Sequence, residues 1–183
     1  MAALEKKVRF SSTHFYQILD NLFVSDQIAT FDEELLQSHQ IDWLINLTPS
    51  TPFLSIKTNN LHVPLTMNMN MLELDELVEK LFLLLRNKKK VLLFCENGVD
   101  KSLVFLTCFF IKHYDPNQMI DTNRFLTWKT KQTFNEKNKF FRITRMYRDM
   151  IINKNVPNKT NNANKPNKQT KIIQHIRKHF LSS

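Results

Sequence analysis

A cysteine, a glycine, a lysine and a serine stand close together between an apolar run that suits a strand and another that suits a helix. They are Cys95, Gly98, Lys101 and Ser102, and Gly98 is the only glycine in the 183-residue chain. Glycine is favoured where the backbone takes a positive φ or approaches a ligand closely. Because a helix N-terminus points backbone amides at anions, this pattern predicts a cysteine-dependent phosphate site.

The spacing Cys-x-x-Gly-x-x-Lys-Ser resembles the phosphate loop of the dual-specificity, VH1-like protein tyrosine phosphatases, whose pattern is His-Cys-x-x-Gly-x-x-Arg-Ser/Thr. Further segments between residues 15 and 152 resemble other parts of that family: Ile18–Ala29, Ile41–Thr48, Leu61–Leu65 and Phe134–Phe140. The resemblance implies an α/β fold with a central mixed sheet flanked by helices. It places the cysteine loop at a strand–helix junction, and we expect neither a metal nor another cofactor.

The resemblance also implies roles for the residues that match the motif. Cys95 stands at the nucleophile position, and Ser102 stands where a hydroxyl helps the phosphoenzyme turn over. The six residues between Cys95 and Ser102 are implied to bind phosphate: Glu96, Asn97, Gly98, Val99, Asp100 and Lys101.

Three positions depart from the family's pattern. Lys101 stands where the family has an arginine, and Phe94 stands where it has a histidine. The general acid normally follows the proline of the Val-Pro-Leu segment by three residues, and that position is Met67. Lysine lacks the planar fork of arginine; loss of a transition-state donor costs ~10²–10³ in rate, and loss of a general acid costs ~10²–10⁴. The sequence therefore predicts impaired catalysis.

Glu73, Asp75 and Asp100 are the nearest candidates for a replacement acid. Glu73 and Asp75 fall at a predicted helix start, where carboxylates usually interact with the helix dipole. Asp100 is adjacent to Lys101, and we interpret it as an ion-pair partner that weakens the attraction of the lysine for an anionic ligand.

The net charge of +9 belongs to one end of the chain. Residues 153–183 hold seven lysines and arginines and no acid, whereas residues 1–152 hold 19 basic and 17 acidic residues. The Asn/Lys-rich composition of residues 153–171 is typical of a disordered linker, and residues 172–183 suit a short basic amphipathic segment. This tail is either a site for nucleic acid or an anionic surface, or a low-complexity extension without a partner.

The remaining chain divides into an N-terminal arm, 1–14, and one phosphatase-like domain, 15–152. Two cysteines are too few for a disulfide scaffold, and Cys108 lies in an apolar helical run that suits the core. The chain shows no apolar leader and no run long enough to span a bilayer. We therefore expect a soluble protein of the cytoplasm or nucleus, without a transmembrane segment.

Hydrophobic periodicity and turn residues predict alternating strands and helices. The predicted strands are Gln17–Leu19, Leu22–Ser25, Asp42–Leu47, Leu61–Pro64 and Val91–Phe94. The predicted helices are Phe31–His39, a helix capped by Asn70 that ends at Arg86, Leu103–Ile111, Asn117–Lys131 and Lys137–Ile152.

Three functions fit this pattern. The leading interpretation is a pseudophosphatase that binds phosphoprotein, a phosphopeptide or a regulatory partner through the Cys95–Ser102 loop without hydrolysis. The second is a slow but active cysteine-dependent protein tyrosine or dual-specificity phosphatase. The third is a scaffold that binds RNA 5′ phosphates or another polyanion.

Overall fold

The computed structural model describes residues 14–49, 58–114, 119–132 and 138–155. Within them the chain forms a five-stranded sheet in the order β1-β2-β5-β3-β4. The strands are β1 (Phe15–Leu19), β2 (Leu22–Asp26), β3 (Trp43–Asn46), β4 (Asn59–His62) and β5 (Val91–Cys95). The β1–β2 pair is antiparallel and the other three pairs are parallel, which confirms the predicted mixed sheet.

Five α-helices accompany the sheet in the described ranges. They are α1 (Glu33–Ser38), α2 (Met71–Arg86), α3 (Asp100–His113), α4 (Met119–Thr130) and α5 (Phe141–Asn155). Each predicted helix is present: α2 has the predicted cap and end, and the ends of the other four differ by one to a few residues.

Side-chain caps set two of the helix starts. The Asp32 carboxylate accepts a hydrogen bond from the backbone N–H of Leu35 at 3.0 Å, so α1 begins at Glu33 and not at the predicted Phe31. Asn70 accepts one from the backbone N–H of Leu72 at 2.8 Å, which confirms it as the cap of α2. Such caps satisfy N–H groups that have no partner inside the helix.

β4 lies two residues earlier in the chain than predicted. Its parallel pairing with β3 begins with Asn59 opposite Trp43. The backbone N–H of Val63 still donates to the Asn46 carbonyl at 2.9 Å. Beyond Pro64, the backbone N–H of Leu65 donates to the Leu47 carbonyl at 3.1 Å, so the backbone contact between the two segments continues past the proline.

The central strand β5 contributes to both faces of the sheet, and all five of its residues are buried. Successive side chains of a strand point to opposite faces. Cys95 belongs to the larger apolar cluster, which includes most of α3, whereas Phe94 belongs to a smaller cluster with Phe23 and Leu36. Cys108 is buried in the larger cluster, as predicted, and burial raises the pKa of its thiol.

Asp75 joins α2 to α3 and α5. Its carboxylate lies 2.8 Å from the ammonium of Lys112 and 3.2 Å from that of Lys154, and it accepts a 2.6 Å hydrogen bond from the Tyr147 hydroxyl. Partial burial opposes ionisation, but these donors outweigh it and lower the pKa of Asp75 to about 2. Asp75 is therefore the centre of an interhelical network, and its interpretation as a residue that only serves the start of α2 is wrong.

Helix α5 continues to Asn155, so residues 153–155 of the predicted linker are helical. The rest of that linker, the segment 172–183 and residues 1–13 lie outside the described residues. None of the described helices has the length and apolar character needed to cross a membrane.

Candidate active site

The loop between β5 and α3 holds the residues of the motif. Cys95 is the last residue of β5, and α3 begins at Asp100. Parallel pairing with β2 places Cys95 opposite Asp26. The loop therefore leaves the sheet at the carboxyl edge of its parallel strands, where open α/β sheets bind their ligands.

Gly98 has a positive φ of 74°. A β-carbon built on it would lie 2.6 Å from the backbone nitrogen of Asp26 and 2.8 Å from the carbonyl carbon of Ser25. The sequence predicts a positive φ or a close approach to a ligand; the positive φ is confirmed, and the close approach in the structure is to the end of β2. Both the backbone conformation and this contact require glycine.

Lys101 lies in the first turn of α3 and is only 7% exposed. Its ammonium is 2.6 Å from the carboxylate of Glu96 and 5.6 Å from the centre of the Phe140 ring. The interpretation of Asp100 as its partner is wrong, since adjacent residues of a helix do not face each other. The loop's basic side chain is therefore paired with a carboxylate of the same loop.

Asn97 directs its side chain into the loop. Its Oδ1 accepts hydrogen bonds from the backbone N–H groups of Val99 and Asp100, both at 3.1 Å. The same oxygen lies 3.5 Å from the sulfur of Cys95. Because Val99 contributes no side-chain bond as the N-cap of α3, Asn97 supplies the cap from outside the helix.

Asp100 connects the loop to the start of α5. Its carboxylate accepts hydrogen bonds from the side-chain amides of Asn97 and Asn138, each at 2.7 Å. Asn138 in turn accepts one from the backbone N–H of Phe140 at 2.9 Å. Sequence reasoning missed Asn138 because the predicted helix began at Lys137 and included it; asparagine is favoured before the first turn of a helix, and α5 begins at Phe141.

Phe94, at the family's histidine position, is fully buried. Its ring packs in the smaller apolar cluster, on the face of the sheet opposite the Cys95 side chain. The aromatic ring is therefore part of the core.

Met67, which the resemblance places at the general-acid position, is 37% exposed in the turn that follows β4. Of the alternative acids, Glu73 is exposed in the first turn of α2. Asp75 belongs to the interhelical network, and Asp100 is bound by two amides. None of these three described carboxylates is placed as an evident substitute for the acid.

One further carboxylate lies near the loop and was missed from the sequence. Asp26 is buried at the end of β2, where Gly98 packs. Its carboxylate accepts hydrogen bonds from the backbone N–H groups of Ala29 at 3.1 Å and His14 at 3.2 Å. It caps the 3-10 helix Gln27–Phe31 that follows β2.

Two buried hydroxyl groups border this region. The hydroxyls of Ser102 in α3 and Ser25 in β2 have no hydrogen-bond partner in the described part of the chain. Leaving a buried polar group unsatisfied costs about 1–3 kcal/mol. An unpartnered hydroxyl at the family's hydroxyl position is an available donor for a bound group.

The loop thus combines a thiol, helix N-terminal amides, one lysine and a hydroxyl. Amides at a helix N-terminus bind oxyanions, and a cysteine thiolate is a nucleophile. A lysine contributes charge without the two parallel hydrogen bonds of arginine. These groups suit oxyanion recognition, whereas protonation of a leaving group has no assigned donor among the described residues.

Comparisons with solved structures define the class of fold. A mouse putative dual specificity phosphatase, solved with zinc tungstate, has a TM-score of 0.68 at 15% identity, covering 83% of this chain and 97% of its own. Human DUSP28 has a TM-score of 0.66 at 14% identity, covering 76% and 99%. A human tyrosine phosphatase-like serine/threonine/tyrosine-interacting protein has a TM-score of 0.63 at 16% identity, covering 75% and 97%.

The fold is that of the dual-specificity phosphatases. This agrees with the fold that the motif and its flanking segments imply. The sequence itself matches no protein-family model and no curated protein.

Proposed function

We propose that this protein is a catalytically impaired phosphatase-like protein that binds phosphorylated protein through the Cys95–Ser102 loop. The observation that carries the proposal is the 2.6 Å pair between Lys101 and Glu96. In an active site of this kind, the cation of the loop binds the phosphoryl oxygens. Here that cation is a lysine, and its charge is already balanced by a carboxylate.

Two features support retained binding. The amide-lined loop at the start of α3 is held in place by the contact between Gly98 and β2. The Ser102 hydroxyl is buried and unpartnered among the described residues. The mouse structure with zinc tungstate is consistent with oxyanion binding by a protein of this fold.

The magnitudes support impaired catalysis. Replacing the arginine removes a bidentate donor, a loss of ~10²–10³ in rate, and the absent acid at Met67 removes a further ~10²–10⁴. These factors do not multiply simply in a cooperative site. Either factor by itself is enough to separate this chain from an efficient phosphatase.

The second candidate is a slow phosphatase. It is favoured by Cys95 and Ser102, which keep the nucleophile and hydroxyl positions of the family. In this version Lys101 acts as the phosphate clamp, and water or a carboxylate that the sequence does not reveal protonates the leaving group. Because Cys95 and Cys108 are both free thiols, either version suits the reducing cytoplasm or nucleus.

Calorimetric titration with a phosphotyrosine peptide and its unphosphorylated counterpart tests the binding proposal. We expect the phosphorylated peptide to bind, and Lys101→Met to weaken binding about 10-fold or more, since hydrogen bonds to charged groups contribute roughly 1.5–3 kcal/mol. The matched control is Lys80→Met, because Lys80 is an exposed lysine of α2 whose ammonium lies over the Trp43 ring. Equal binding of the two peptides, or no effect of Lys101→Met, contradicts the proposal.

A further inference from the structure

The side-chain oxygen of Asn97 occupies the position of a ligand atom. It lies 3.1 Å from two backbone nitrogens of the loop, those of Val99 and Asp100, and 3.5 Å from the sulfur of Cys95. Hydrogen-bond lengths of this size are those with which backbone amides hold an oxyanion. A carbonyl-type oxygen is thus already present between the thiol and the start of α3.

An external phosphoryl group would compete directly with this oxygen. Each backbone N–H carries one hydrogen, so the amides of Val99 and Asp100 cannot donate fully to Asn97 and to an anion together. Lys101 is engaged in the same way, because its ammonium is held by Glu96 at 2.6 Å. Binding of an anion therefore requires rearrangement of loop side chains.

We propose that Asn97 is an internal ligand of the loop, whose amide oxygen holds the place of a phosphoryl oxygen until an incoming phosphoryl group displaces it. This inference rests on the proposed function, since it concerns how the same loop takes its ligand. In the resting state the loop is closed by its own side chain. The affinity for phosphorylated partners is then set by how readily Asn97 leaves.

Two properties of Asn97 separate this role from ordinary helix capping. The first is the location of its oxygen 3.5 Å from the Cys95 sulfur, at the nucleophile position. The second is the additional bond from its side-chain nitrogen to Asp100 at 2.7 Å, which fixes the orientation of the amide. Asn70 has only the capping function, because its oxygen accepts from Leu72 at the start of α2, away from the loop.

The test compares Asn97→Ala with Asn70→Ala, using tungstate as the probe. Each variant loses a cap, so both are expected to unfold at a lower temperature than wild type when tungstate is absent. Only Asn97→Ala should bind tungstate more tightly, by about 5- to 30-fold, because two amide hydrogen bonds no longer have to be exchanged. Lower stability together with tighter anion binding is not expected from loss of a cap alone.

Asn97→Asp supplies a second variant that keeps the capping oxygen. The aspartate keeps an oxygen that can cap α3, but it loses the side-chain donor to Asp100 and brings two carboxylates together, so its unfolding temperature should be lower than that of wild type. Its negative charge beside the thiol should weaken tungstate binding by at least about 5-fold relative to wild type. Unchanged affinity in both Asn97 variants, measured on folded protein, overturns the role of Asn97.

The outcomes distinguish this inference from the proposed function. If wild type binds the phosphotyrosine peptide in a Lys101-dependent manner but Asn97→Ala binds no tighter, only the internal ligand is refuted. If Asn97→Ala gains tungstate affinity but no phosphopeptide binds wild type or the variant, the proposed function is refuted and the internal ligand stands. If neither protein binds tungstate or phosphopeptide, both are refuted.

Discussion

Gly98 packs against Asp26 so closely that a β-carbon on the glycine would lie 2.6 Å from the backbone nitrogen of the aspartate. This contact joins the loop after β5 to the end of β2, the strand that pairs with β5. The backbone of Asp26 cannot move away easily, because the same residue caps the helix that follows β2. The only glycine in the chain therefore lies where the loop contacts the carboxyl end of β2.

Replacing Gly98 by alanine should destabilise the protein. The substituted residue would combine a clash with β2 and a φ of +74°, and strained backbone of this kind costs about 1–3 kcal/mol before any clash is counted. We expect a loss of at least about 2 kcal/mol in unfolding free energy, together with reduced protection by tungstate. Denaturant unfolding measures the first effect, and wild-type stability in Gly98→Ala contradicts the observed packing.

The stability of the protein should fall as the pH decreases from about 6.5 to about 4. Burial lowers the pKa of His113 from 6.5 to about 4, despite Glu79, whose carboxylate lies 3.8 Å away. The unfolded chain therefore takes up a proton at a higher pH than the folded one, so acid favours unfolding. Over this range the loss is up to about 3 kcal/mol. Asp75, with its pKa lowered to about 2, adds a further loss between about pH 4 and pH 2.

The variant His113→Phe isolates the histidine's part of this effect. The ring of His113 stacks on Phe82 with 4.1 Å between centres, and phenylalanine preserves a flat ring there without a titrating nitrogen. We expect the variant to lose most of the pH dependence above about pH 4 while keeping the part below it. A stability profile between pH 4 and 6.5 identical to that of wild type contradicts the assignment to His113.

Two substitutions toward the family's pattern should raise phosphatase activity. Lys101→Arg restores five N–H donors, enough to bind Glu96 and a phosphoryl oxygen together, and Met67→Asp restores an acid at the family's position. The double variant should exceed wild type in aryl phosphate turnover by at least about 10-fold. A folded double variant without any gain shows that the loop does not hold a phosphoryl group in a reactive position.

Phe94→His should be kept out of that variant. Because Phe94 is fully buried among apolar side chains, a histidine there loses packing and buries a polar ring. Both effects lower the stability of the single variant. Together they should reduce its free energy of unfolding by about 1–3 kcal/mol. Thermal unfolding of Phe94→His checks this expectation, and wild-type stability contradicts it.

The elements around the site could be predicted from sequence because their signals are local. Asn70 and the leucines behind it specify α2, and Gly98 marks the loop between β5 and α3. The polar contacts between distant parts of the chain could not be predicted in the same way. Asp75 and Lys154 are 79 positions apart, and Asp100 and Asn138 are 38 apart, so sequence pattern does not indicate that they meet.

The pairing inside the loop shows a second limit. Asp100 is adjacent to Lys101, yet Glu96, five positions before the lysine, is its partner. The choice depends on the direction in which each side chain leaves the first turn of α3. That direction follows from the path of the loop over β2, which the order of residues does not specify.

Removing residues 156–183 should abolish most nucleic-acid binding without changing anion binding by the Cys95–Ser102 loop. These residues hold six lysines and arginines and no acid. A chain ending at Asn155 should lose most affinity for RNA and duplex DNA, whose binding falls with salt in proportion to the phosphates neutralised. Tungstate binding by the loop should be unchanged. Unchanged nucleic-acid affinity in the shortened chain refutes the prediction and points to Lys129 and Lys131, whose ammonium groups lie 5.0 and 5.5 Å from the centre of the exposed Trp128 ring.

The measurement that tests the central claim most directly is hydrolysis of an aryl phosphate by the wild-type protein and by Cys95→Ser, alongside an active dual-specificity phosphatase. Because the loop's cation is paired with Glu96 and Met67 stands at the acid position, we expect wild type and Cys95→Ser to hydrolyse the substrate at the same background rate. Turnover that disappears in Cys95→Ser and reaches within about 10-fold of the active enzyme would contradict the account, since it lies above the loss expected from the missing clamp and acid.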